Sequence, residues 1–143
     1  MNEVDANANN DADNRSRPIA TLSTHILDSV RGGDAVGVRV ALHRIGDDGA
    51  RSLLFEARTD ADGRLRQSIA LDGDDDARYE LVFHVAEYFD KCFDERFADR
   101  ESPNAPRQSP LRETAVRLAM PDPNGAYHLP MMIAPHSCAL WCA

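Results

Sequence analysis

Five histidines, His25, His43, His84, His128 and His136, are the side chains of this 143-residue chain best suited to moving protons near neutral pH, because imidazole titrates there unperturbed. Their neighbourhoods separate them. His25 lies in LSTHILD and His128 in AYHLP, each within a strand-like run, so a rigid element would hold each ring. One stands near each end of the patterned part of the chain, which leaves the two free to converge in space. Read from the residues alone, either is more often a packed or surface histidine than a catalytic one, and His43 and His84 carry less signal still. His136 shares strand parity with Cys138 and Cys142, a set of soft metal ligands on paper. A linear i, i+2, i+6 set does not wrap one ion, so no metal and no other cofactor is expected. The chain has no GxSxG elbow, glycine-rich phosphate loop, HExxH or CxxC pair. The common serine-hydrolase, nucleotide, metalloprotease and thiol-redox readings are thereby set aside.

The elements that would position these residues are short and β-like. From Pro18 onward the runs IATLSTHIL, GVRVALHRI, SLLFEARTD, LRQSIAL, YELVFHV, TAVRLAM and AYHLPMMIA recur with turn residues between them, the cadence of a β-sandwich. GVRVALHRI alternates, with Val38, Val40, Leu42 and Arg44 on one parity and Arg39, Ala41 and His43 on the other. Gly32-Gly33-Asp34, Asp47-Asp48-Gly49, Asp62-Gly63 and Asp72-Gly73 supply the positive φ angles that tight connections need. AEYFDKCF, residues 86 to 93, is the one segment with helical spacing, and predicts a single short helix. Residues 1–17 hold almost no apolar side chains and are expected to form a disordered tail, leaving 18–143 as one domain. Residues 94–110, with three of the eight prolines and no β pattern, read as a long surface loop. The acidic run at 72–76 lacks the spaced ligands of a calcium loop and reads as a solvated turn.

Composition narrows the partners. A formal net charge of -8 and a pI near 5.0 argue against nucleic acid, whose binding is driven by clustered Lys and Arg. No run approaches the roughly 20 apolar residues of a membrane helix, and the Asn/Asp-rich start is unlike a signal peptide, so cytoplasmic residence without membrane contact is expected. Cys92, Cys138 and Cys142 are an odd, sparse set, read as reduced; on one strand Cys138 and Cys142 would lie about 13 Å apart, too far to bridge.

Five segments, taken in order, resemble the transthyretin-like family and within it the 5-hydroxyisourate hydrolases: LSTHILD (22–28), GVRVALHR, TDADGRL (59–65), YELVFHVAEYF (79–89) and YHLPMMIAP (127–135). The resemblance spans about residues 20–135. It implies an all-β, eight-stranded transthyretin-like sandwich with one short helix, assembled as a homotetramer with its sites in a channel between dimers. It also implies that His25, Arg64 and His128 face a small heterocyclic substrate and catalyse hydrolytic ring opening of 5-hydroxyisourate in urate and purine catabolism, or of a related cyclic ureide. Without the histidine motifs Arg64 would read as an ordinary turn residue. The chain departs from the hydrolases at its end. Where they carry Tyr-Arg-Gly-Ser, this chain has Trp141, Cys142 and Ala143, then stops. By that alignment Trp141 and Cys142 join Arg64 as substrate-binding positions, the hydrolases' terminal cation and hydroxyl are missing, and the rim after the helix differs as well. Two other readings stay open: a non-catalytic small-ligand binder on the same fold, and a recruited enzyme using Cys142 as nucleophile, activated by His25 or His128.

Overall fold

In the computed structural model, which describes residues 18–71, 76–96 and 109–143, the first strand-like run becomes a ten-residue strand, β1 (Ile19–Asp28). Its alternation is strict. Ala20, Leu22, Thr24, Ile26 and Asp28 are buried, whereas Thr21, Ser23, His25 and Leu27 are half-buried on the opposite face. After it come β2 (Gly33–Asp34), β3 (Arg39–Ile45), β4 (Arg51–Arg58), β5 (Arg64–Ala70) and β6 (Arg78–Phe83). The helix α1 (Val85–Arg96) then leads to β7 (Thr114–Leu118), β8 (Ala126–His128), β9 (Met131–Ala134) and β10 (Ser137–Leu140). The proposed tail 1–17, residues 72–75 with the Asp72-Gly73 turn, and residues 97–108 of the expected loop lie outside the described residues.

The strands form two sheets, one ordered β4-β3-β6-β7, the other built around β1. β5 pairs antiparallel with one side of β1, β8 and β9 pair parallel with the other, and β10 extends that side through β9. Between the sheets lies the core, with Leu22, Ile26, Val40, Leu42, Leu81, Phe83, Met131 and Ile133 each nearly or fully buried. The β3–β6 register sets Val40, Leu42 and Arg44 on the parity of Phe83, Leu81 and Tyr79, as the alternation predicts.

Three differences from the sequence reading have local causes. Ten strands stand among the described residues where eight were expected. One reason is that β2 is a two-residue pairing with the end of β1; another is that AYHLPMMIA splits at Leu129-Pro130 into β8 and β9. Proline has no N–H to give a ladder. The helix also starts one residue earlier than predicted and runs three further, to Arg96, into the stretch read as loop. Val85, Tyr88, Phe89 and Cys92, at i, i+3, i+4 and i+7, press its inner face on the core. Positive φ occurs at Gly32, Gly49 and Gly63 as expected, and also at Gly37.

Candidate active site

The turn before β5 explains how Arg64 is placed. Asp60 Oδ1 accepts the backbone N–H groups of Asp62 and Arg64, each at 2.9 Å, and these bonds hold its carboxyl below the usual range, helped by the nearby charge of Arg64. Gly63 packs so close to β1 and β2 that a Cβ there would lie 2.7 Å from the Ile26 carbonyl and 3.1 Å from the Asp34 Cβ. Its φ of +68° is a second reason for glycine. Ile26 N–H donates to the Gly63 carbonyl at 2.8 Å, which locks the turn on β1. The antiparallel register that follows pairs His25 with Arg64 and Ser23 with Arg66.

On the other side of β1, the parallel register pairs Ser23 with His128. The break at Pro130 is closed by a side chain: buried Thr24 donates its hydroxyl to the Leu129 carbonyl at 2.7 Å, while Leu129 N–H donates to the Ser23 carbonyl. Two rows therefore cross the outer face of this sheet. One is Arg66, Ser23, His128; the next holds Arg64 and His25. The three residues singled out from the sequence share one face, with neighbours across a row roughly 5 Å apart and successive rows roughly 7 Å apart.

Both imidazoles are oriented. His25 Nε2 stands 2.9 Å from Asp34 Oδ1, and because a carboxylate oxygen only accepts, Nε2 carries the hydrogen and Nδ1 keeps the lone pair of the neutral ring. Ser23 Oγ lies 2.8 Å from His128 Nδ1, which leaves Nε2 of His128 for a substrate. Ser23, Thr24 and Asp34 were not anticipated. Ser23 and Thr24 lie inside LSTHILD, but their partners are more than a hundred residues away, and Asp34 reads locally as a turn residue. Ser23→Ala is expected to lower kcat about tenfold with little change in KM, through loss of His128 orientation. Steady-state kinetics with a circular dichroism melt separates that outcome from simple destabilisation.

The C-terminal residues follow β10 back along β8. Trp141 N–H donates to the Pro130 carbonyl at 3.2 Å and Ala143 N–H to the His128 carbonyl at 3.0 Å, continuing the β9–β10 register. Trp141 and Ala143 thus hold the parity of His128, and Cys142 holds that of buried Leu129. Register takes Cys142 off the imidazole face and leaves Trp141, 45% exposed, on it. His84 instead sits 3.3 Å from both Arg39 of β3 and Glu113, just before β7, and His136 is exposed in the last hairpin turn. All three cysteines are free, and among the described residues no three His, Cys, Asp or Glu side chains are grouped to hold a metal.

Two sheets packed around one core, one short helix, and an outer sheet face bearing two oriented imidazoles and a guanidinium define a transthyretin-like sandwich. The HIUase/Transthyretin family model matches residues 22–141, and the chain belongs to that family. A Deinococcus radiodurans protein named 5-hydroxyisourate hydrolase is 37% identical over 117 residues, 81% of this chain and 89% of its own length. The solved Klebsiella pneumoniae 5-hydroxyisourate hydrolase superposes with a TM-score of 0.63 at 28% identity, covering 86% of this chain and 98% of that one. A solved (S)-allantoin synthase matches 90% of this chain with a TM-score of 0.63 and 27% identity, but the chain spans only 45% of that larger protein.

Proposed function

We propose that this chain hydrolyses 5-hydroxyisourate, opening its six-membered ring to 2-oxo-4-hydroxy-4-carboxy-5-ureidoimidazoline in urate breakdown. The observation that carries this reading is the shared face of His25, Arg64 and His128 with both imidazoles preset by Asp34 and Ser23. The named relatives supply the substrate. Nδ1 of His25 takes a proton from water as the water oxygen bonds to the ring carbonyl carbon, and Asp34 stabilises the imidazolium that forms. Arg64 meets the charge developing on the carbonyl oxygen. When the ring C–N bond breaks, the departing nitrogen takes a proton from Nε2 of His128, which enters the step as imidazolium with its Nδ1–H on Ser23; His25 then gives its proton to solvent and His128 takes one back, which restores both rings.

A homotetramer working in the cytoplasm belongs to the same reading. Met132 and Trp141, 42% and 45% exposed on the imidazole side of the sheet, are apolar surface that a second copy would cover. The direct test follows the ultraviolet absorbance of 5-hydroxyisourate made in situ from urate and urate oxidase, with and without the protein. Faster decay supports the hydrolase. Saturable binding of the heterocycle without faster decay would replace it with a carrier.

A further inference from the structure

Arg66 was not singled out by the sequence, yet the sheet places it with the site. The registers set Arg66, Ser23 and His128 in one row across β5, β1 and β8, roughly 10 Å from end to end. Arg66 is exposed, with the parity of Arg64 two residues earlier, and both project from the face that holds the imidazoles. The charges around the two arginines differ. Arg64 closes the turn held by the Asp60 carboxylate and lies across from His25, which is bonded to a second carboxylate, Asp34. Among the described residues neither guanidinium is in an ion pair, and Arg66 stands further from those two carboxylates, one row along the strand. At the opposite edge of the sheet, beyond β8, Trp141, Cys142 and Ala143 bring no cationic side chain.

We infer that Arg66 is a substrate-binding residue of this site, the second of its two guanidinium groups, and selects for an anionic planar heterocycle. The inference rests on the hydrolase reading for its substrate and goes beyond it in assigning the charge recognition. A flat ring lying between His25 and His128 would have Arg64 at one row and Arg66 at the other. A guanidinium is planar, permanently charged and forked, so it can pair two acceptors on the edge of a ureide at once and retain the carboxylate released by ring opening. Its contact is made in ground state and transition state alike, so its loss appears in KM and not in kcat.

Steady-state kinetics on 5-hydroxyisourate with Arg66→Gln and Arg66→Lys test this, with Arg78→Gln on β6 as a control that removes the same charge from the other sheet. Arg66→Gln is expected to raise KM about 10- to 100-fold with kcat within about threefold, and Arg66→Lys to recover part of the loss. Added salt should raise the wild-type KM more steeply than that of Arg66→Gln. A KM for Arg66→Gln within twofold of that for Arg78→Gln would reduce Arg66 to a solvated surface arginine. Should the wild-type protein leave 5-hydroxyisourate untouched, the hydrolase reading fails separately. Calorimetry with urate, an anionic purine, then decides the question for Arg66: weaker binding by Arg66→Gln sustains the assignment, and equal binding, or none by either protein, overturns it.

Discussion

His128→Ala is expected to lower kcat on 5-hydroxyisourate by about two to four orders of magnitude, the range typical for removing a positioned general acid or base. The fold should survive. The imidazole is half-buried on the outer face of the sheet, whereas the adjoining inward residue, Leu129, is 2% exposed and keeps its place in the core. The backbone around it is pinned independently of the ring, by Thr24 on the Leu129 carbonyl and by Ala143 N–H on the His128 carbonyl. His25→Ala should give a loss of similar size. The double variant should be little worse than either single one, because the proton accepted and the proton given belong to one reaction coordinate. Rates on matched, folded protein decide it. A His128→Ala enzyme within tenfold of wild type would remove His128 from the chemistry, and full additivity in the double variant would mean the two rings act separately.

The strands were legible because their signals are local, whereas the three residues on the site face were brought together only by the resemblance that LSTHILD, TDADGRL and YHLPMMIAP carry. The β-like run IATLSTHIL set His25 on a strand, and Asp62-Gly63 marked the turn that Arg64 closes, where β5 begins. What lay beyond reach is what depends on register. Ser23 meets His128 only because β8 joins β1 in parallel at one offset, and no property of either segment states that offset. Asp34 looks like any acidic turn residue until β2 folds against the end of β1 and sets its carboxylate 2.9 Å from His25. Cys142 shows the converse. Counting positions from the resemblance makes it a site residue, but the terminal register gives it the parity of Leu129.

Asp28→Ala is expected to destabilise the fold by about 3–5 kcal/mol, a large fraction of the roughly 5–15 kcal/mol that holds a typical domain together. Asp28 is 1% exposed and ends β1, three residues beyond His25. Its Oδ1 accepts the N–H groups of Val30 and Arg31 at 2.9 and 3.1 Å, and its Oδ2 accepts the Tyr88 hydroxyl at 2.7 Å. Alanine leaves those donors without their acceptor beneath the helix. Tyr88→Phe removes one of the three bonds and should cost about 1.5–3 kcal/mol. Urea unfolding of the two variants checks both values, and an Asp28→Ala loss below about 1 kcal/mol would mean that water replaces the carboxylate. The same pair predicts alkaline sensitivity. Burial, and then the bond to Asp28, push the Tyr88 hydroxyl above its ordinary pKa of 10.0. A folded pKa above the unfolded one gives stability that is fully present below pH 10 and is lost as pH climbs through the folded value. Wild-type Tm should therefore fall more steeply above pH 10 than that of Tyr88→Phe. Parallel curves would show that Tyr88 does not govern this loss. The turn that Asp28 organises leads straight into β2, so the same carboxylate that ties β1 to the helix also steadies Asp34 against His25. Asp28→Ala protein that is still folded at low temperature should accordingly lose kcat as well as stability.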